Sequence, residues 1–292
     1  MKLLLASDIH YGNKSPLEGS DEFDKHAHAA FAAEMHAHKP DVLVVAGDCG
    51  ETCLSSKYLP KMLQVYKNPH GASICIPGNH DVWLNAYGQR GHGRDSHWEQ
   101  YDWFFKEARY AGWHGLREQP WSKDGVWIAG AMGWYDFSSS DPVVCPGRIS
   151  VEDYDRSRTW SDYNWMGMDS ALQVNKERMH EFDKCLAKVP PKGDAARRWL
   201  MVASHFIGFR ELMATDFPSP DTGAAFMGNY SIGEKALAVG ADLYYCGHSH
   251  RRKEFTHASG MRCVNNGSGY GLGGKRYDIV EVPDAASPGK AD

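Results

Sequence analysis

Short apolar runs that end abruptly on Asp, His or Asn recur along this chain, and they restrict its folding more than any other feature. Residues 2–7 (KLLLAS) lead into Asp8 and His10, residues 41–46 (DVLVVA) into Gly47-Asp48, and residues 73–77 (SICIP) into Gly78-Asn79-His80-Asp81. Further on, 199–204 (WLMVAS) leads into His205 and 242–246 (DLYYC) into Gly247-His248-Ser249-His250. Short, near-continuous apolar runs read as strands buried on both faces. Between the first three runs lie segments with helical spacing. Residues 21–39 set Phe23, Ala27, Ala30, Phe31 and Met35 on one face before Pro40, and residues 55–67 form the other segment. Strand and helix in alternation generate a largely parallel sheet covered by helices. Ligands of such sheets bind at the carboxyl ends of the strands, which is where all these polar blocks stand.

The remaining pattern predicts a single domain over residues 1–284 and a frayed tail at 285–292. Helical spacing returns at 96–110 and 168–189, and 126–132 reads as a strand. Residues 255–257, 261–264 and 277–282 alternate with turns and read as antiparallel strands. Residues 137–169, rich in Ser, Asp, Pro, Arg and Trp, show weak periodicity and are expected to form a long functional loop or cap.

Composition removes several function classes. Lys and Arg number 32 against 37 Asp and Glu, a formal charge of −5, so no broad cationic field is available for extended nucleic-acid binding. No run approaches about 18 uncharged apolar residues, so no membrane partner is expected. The 7 cysteines are scattered without a CxxC pair, which suggests buried free thiols and a reducing, cytoplasmic setting.

Carboxylates, imidazoles and an amide oxygen, without thiolates, are a ligand set for manganese, iron or zinc. Asp8 and His10 are two apart, as are His248 and His250, so in extended backbone each pair faces one side and can chelate. Charge favours two ions over one. Two divalent ions bring +4, Asp8 and Asp48 remove 2, and a bridging hydroxide would leave about +1, a site that attracts phosphate.

The ordered set DxH, GD, GNHD, H and GHxH strongly resembles the calcineurin-like metallophosphoesterases, over roughly residues 3–250. The resemblance implies a four-layer α/β/β/α sandwich with a dinuclear site. One metal would take Asp8, His10, Asp48 and His250, and the other the shared Asp48 with Asn79, His205 and His248. The ions would be two divalent metals, manganese first, with iron or zinc as alternatives. His80 would contact the phosphoryl group and protonate the leaving oxygen, with Asp81 orienting its imidazole. The implied reaction is attack of a metal-bridging hydroxide on a small phosphorylated substrate. A phosphodiester, including nucleotide-like ones, is expected first, and a phosphomonoester second.

Departures narrow the family. Serine/threonine protein phosphatases resemble GDxxDRG and GNHE, whereas this chain reads GDCGE and GNHD. Lipid A-pathway pyrophosphatases carry Arg where this chain has His80. A protein-phosphatase-like phosphomonoesterase and a non-catalytic protein-binding scaffold remain the alternatives.

Other features have plainer readings. His26, His28, His36 and His38 are expected to be exposed helix histidines, Cys49 and Cys53 packing thiols, and 267–274 (GSGYGLGG) a turn or bulge. Trp134, Tyr135, Phe137, Trp160, Tyr163 and Trp165, with Arg148, Arg156 and Arg158, form either a substrate platform or a small core under the cap.

Overall fold

The computed structural model describes residues 1–12, 21–51, 56–86, 89–90, 96–140, 150–157, 160–213, 223–266 and 276–284. The first half contains β1 (Lys2–Ala6), α1 (Asp21–Ala37), β2 (Val42–Ala46), α2 (Tyr58–Val65), β3 (Ala72–Ile76) and α3 (Asn79–Val82). A small hairpin, β4 (Asn85–Ala86) and β5 (Gln89–Arg90), precedes α4 (His97–Tyr110), β6 (His114–Gly115), β7 (Trp121–Lys123) and β8 (Val126–Gly130). Then come α5 (Val151–Ser157), α6 (Ser161–Met166), α7 (Ala171–Leu186), β9 (Trp199–Ala203) and α8 (Tyr230–Ala238). The chain closes with β10 (Leu243–Cys246), β11 (Lys253–Thr256), β12 (Arg262–Asn265) and β13 (Tyr277–Glu281).

Two sheets carry the architecture. The first has strand order β13-β1-β2-β3-β6 and the second β11-β12-β10-β9-β8-β7. In the first, only β13 runs antiparallel to its neighbour; in the second, the edges β7 and β11 do so around a parallel centre.

Strand alternation assembles the layers. Leu3, Leu5, Val42, Val44, Ile74 and Ile76 face inward and pack on Ile128, Met201, Leu243 and Val264 of the second sheet. Their alternates Leu4, Leu43, Val45 and Cys75 meet Phe31, Met35, Leu59, Met62 and Phe104 of α1, α2 and α4. On the far side Leu200, Val202 and Tyr244 pack against Val174, Phe182 and Ile232 of α7 and α8. The result is the expected α/β/β/α sandwich.

Several expectations change. β11 and β12 pair antiparallel as expected, but β12 also pairs parallel with β10, and β13 runs antiparallel to β1 in the other sheet. Alternation identifies a strand, but its partner and direction depend on chain path. Within 137–169, the described residues include α5 and α6, of 7 and 6 residues, too short to display a helical period. Of the four helix histidines, His26 is exposed, but His28 is buried with Nδ1 2.6 Å from the Tyr66 hydroxyl, because its face of α1 turns toward α2. Cys49, Cys75, Cys185, Cys246 and Cys263 are buried free thiols, and burial pushes Cys49 and Cys75 up, away from reactivity. Cys53, Cys145, 267–274 and the tail lie outside the described residues. Among the described residues, no helix is long and apolar enough to cross a membrane.

Candidate metal centre

The carboxyl ends of β1, β2 and β3 meet those of β9 and β10, so ligand-type residues from both sheets share one pocket. Two cross-sheet hydrogen bonds fix the seam. His248 N donates to Asp8 Oδ1 at 3.0 Å, and His205 Nδ1 lies 3.1 Å from Ala46 O.

The turns that present these side chains are strained in a common way. Asp8, His10, Asp48, His248 and His250 all have left-handed backbone, with φ of 54°, 46°, 49°, 72° and 54°. Each such non-glycine residue costs on the order of 1–3 kcal/mol and persists where surrounding structure over-determines it. Of the eight non-glycine residues with positive φ among the described residues, these five stand at the strand ends.

Two groups of side chains converge, and Asp48 belongs to both. Asp8, His10, Asp48 and His250 place one ligand atom each within 4.8 Å of the others, and Asp48, His205 and His248 do the same. Asn79 joins the second group, with Oδ1 3.0 Å from His205 Nε2. Asp48 Oδ2 sits between them, 3.4 Å from His10 Nε2 and 3.4 Å from His205 Nε2. This oxygen is buried and accepts no hydrogen bond, an arrangement that costs stability unless a cation occupies the space beside it. The donor set and the orphaned oxygen fit divalent metal.

Electrostatics support that fit. Burial opposes ionisation of Asp48, but His205, His80 and His10 outweigh it and hold the carboxyl well below the usual range. Burial, helped by His205, holds His248 well below the ordinary imidazole value; burial also lowers His250. Both are thus neutral lone-pair donors. His248 Nε2 lies 3.1 Å from Phe226 O, a contact that leaves Nδ1 for a ligand.

His80 stands beside this centre, with Nε2 4.0 Å from Asp48 Oδ2. Asp81, expected to orient that imidazole, is hydrogen-bonded to backbone. Asp81 Oδ2 accepts from Cys49 N (3.0 Å) and Gly78 N (2.8 Å), and Oδ1 accepts from Gly50 N (2.9 Å). Asp81 therefore pins two site loops together. The carboxylate on the His80 ring belongs to Glu51, which sequence reasoning missed. Glu51 Oε2 lies 3.0 Å from His80 Nδ1, and Oε1 lies 2.6 Å from His10 Nδ1. Burial disfavours charge on His80, but Glu51 and Asp48 overcome it and push the imidazole up to about 9. The available signal was the carboxylate that ends Gly47-Asp48-Cys49-Gly50-Glu51.

A cavity of about 310 Å³ opens onto the centre, lined by Asp48, Asn79, His80, His248 and His250. Trp83, Trp160, Trp165 and Met227 also line it. The aromatic middle thus divides: Trp134, Tyr135, Phe137 and Tyr163 are core, while Trp160 and Trp165 face the cavity. Arg156 is exposed and paired with Asp153, away from the cavity lining; Arg148 and Arg158 lie outside the described residues.

A family model described as calcineurin-like phosphoesterase matches residues 1–252. Among solved structures, a phosphopantetheinyl hydrolase from Mycobacterium tuberculosis superposes with TM-score 0.71 at 18% identity, covering 99% of this chain and 98% of that one. A Thermus thermophilus protein gives TM-score 0.52 at 12% identity, over 91% and 88% of the two chains. A dimetal phosphatase from Danio rerio gives TM-score 0.50 at 12% identity, over 90% and 86%. No match is found among curated protein sequences.

Proposed function

From the premise that the chain belongs to the calcineurin-like phosphoesterases, we propose that it is a dinuclear hydrolase of small phosphodiesters. Asp8, His10, Asp48 and His250 would hold one ion, and Asp48, Asn79, His205 and His248 the other. The observation that carries this reading is Asp48 Oδ2, buried and unbonded where the two ligand groups meet. The thiolate-free set suits manganese first, then iron or zinc. Two divalent ions would supply Lewis acidity toward phosphoryl oxygens and make water a stronger acid near neutral pH.

The chain's own residues do the rest. Asp8 and Asp48 offset only two of four positive charges, so the pocket attracts an anion. His80, cationic beside Glu51, presents Nε2 toward the cavity and can give its proton to the departing oxygen. Glu51 holds that ring by Nδ1 and holds His10 by the same carboxylate, so proton donor and metal ligand share one support.

Among the described residues that line the cavity, none is Lys or Arg. A monoanionic diester carrying an apolar or planar group suits the indoles that line the cavity. Phosphopantetheine esters enter the substrate panel because one similar structure bears that name. The buried free thiols suit a reducing, cytoplasmic setting.

The test is hydrolysis of bis-p-nitrophenyl phosphate against p-nitrophenyl phosphate by Mn²⁺-loaded protein. The diester is expected to react faster. Faster monoester turnover would overturn the diester preference, and failure to bind metal would overturn the hydrolase itself in favour of a scaffold.

A further inference from the structure

Beside its cavity-lining indoles, the cap region sends a carboxylate to the candidate metal centre. Asp162 of α6 is fully buried, and its Oδ1 accepts from both Asn79 Nδ2 at 3.0 Å and Trp83 Nε1 at 2.7 Å. An asparagine amide has a donor side and an acceptor side, and a carboxylate oxygen can receive only the donor side. The Asp162 contact therefore turns the NH₂ of Asn79 toward α6 and leaves Oδ1 on the side of His205, 3.0 Å from Nε2.

The second donor extends the connection to His80. The Trp83 indole lies against the His80 ring with centroids 3.6 Å apart, and it packs edge-to-face with Trp165 of α6 at a centroid distance of 4.0 Å. Leu84 N donates to Trp165 O at 2.8 Å, so the backbone after α3 is also tied to α6.

We propose that Asp162 is a positioning residue, which aims the Asn79 oxygen at its ion and, through Trp83, seats His80. This rests on the two-ion reading. A carboxylate that merely satisfied two buried donors would matter for stability alone. A positioning carboxylate also sets the affinity of one ion, because groups that orient a ligand typically govern about 10–100-fold in metal affinity.

The experiment is Mn²⁺ titration of the full chain by calorimetry and electron paramagnetic resonance, for wild type, Asp162→Ala, Asp162→Asn and Trp83→Phe. Asp162→Ala is expected to weaken one ion by about 10–100-fold and leave the other unchanged. Asp162→Asn, which keeps an acceptor oxygen for both donors, recovers most of that loss. Trp83→Phe leaves the Asn79 contact in place and so leaves both affinities unchanged.

Wild-type affinity for both ions in Asp162→Ala overturns the inference, as does equal weakening of both ions in every variant alongside a lower Tm. If wild type binds a single ion, the two-ion reading fails, and Asp162 is judged on that ion by the same loss and recovery. If wild type binds none, both fall. Should Asp162→Ala not fold, the Asn79 side-chain amide protons decide by NMR in metal-free protein. They are expected to shift between wild type and Asp162→Asn, and coincident resonances refute the contact.

Discussion

Gly78→Ala tests the bridging role proposed for Asp48. Gly78 has φ −108° and ψ −175°, backbone that alanine adopts without strain, so any effect must come from the added methyl group. That Cβ would lie 2.1 Å from Asp48 Oδ1 and 2.4 Å from Asp48 N. A carbon–oxygen contact needs about 3.3 Å, so the carboxylate oxygen must give way by about 1.2 Å. The close approach to backbone nitrogen means that a side-chain rotation alone cannot relieve the clash. Movement also disturbs the 3.0 Å hydrogen bond from His80 N to Asp48 Oδ1. Misplacing a reacting-site group by about 1 Å costs about 10²-fold, equivalent to about 2.7 kcal/mol on the barrier. Forcing a methyl group into packed surroundings costs a further ~1–3 kcal/mol of stability. The assay is kcat for bis-p-nitrophenyl phosphate at saturating Mn²⁺, with a urea melt of the same preparation. Wild-type kcat with an unchanged melt would refute the reasoning, because Asp48 would then be free to move without consequence.

Three further expectations use other parts of the site. His80→Ala should slow turnover by about 10²–10⁴-fold with metal content near normal, measured by metal analysis beside kcat; loss of metal would show that His80 is a ligand. Glu51→Gln sets an amide NH₂ against one of the two ring nitrogens that Glu51 serves, removing a charge-assisted bond worth about 1.5–3 kcal/mol. Its kcat should fall about 10–10²-fold, and wild-type kcat would refute a role for this carboxylate. Stability should also carry a His97 signature. Burial, with Arg178 nearby, lowers this imidazole from 6.5 to about 4, so its contribution is complete above pH 6.5 and declines as pH falls toward 4. The full loss is about 3 kcal/mol, and urea midpoints at pH 7 and pH 4.5 should separate wild type from His97→Gln; parallel pH slopes would contradict this.

The ligand blocks were legible because each lies directly beyond a strand, and a parallel sheet brings such ends together. What escaped depends on loops that meet only in three dimensions. Glu51 and His80 belong to different strand ends, and local spacing says nothing of how loops cross. Asp81 illustrates the opposite error. Adjacency in sequence suggested that it supports His80, but both residues lie in the short helix α3, where successive side chains diverge by about 100° around the axis. Asp81 consequently points into the backbone of 49–50 while His80 faces the cavity. Asp162 was hidden because a helix of 6 residues shows no period that would separate its buried face from its exposed one.

The seam between the two sheets sets the order in which this centre can come into being. A chain emerging from synthesis delivers Asp8, His10, Asp48 and Asn79 with the first sheet, yet His205, His248 and His250 arrive only with the second. Even β1 at the heart of the first sheet keeps an open edge until β13, the last strand among the described residues, pairs with it. Domains generally fold as units, and contacts this distant in sequence form slowly. The nascent chain thus displays half a ligand set and an unsatisfied strand edge for most of its synthesis. Completion of the fold and assembly of the candidate ligand set are, for this topology, a single late event.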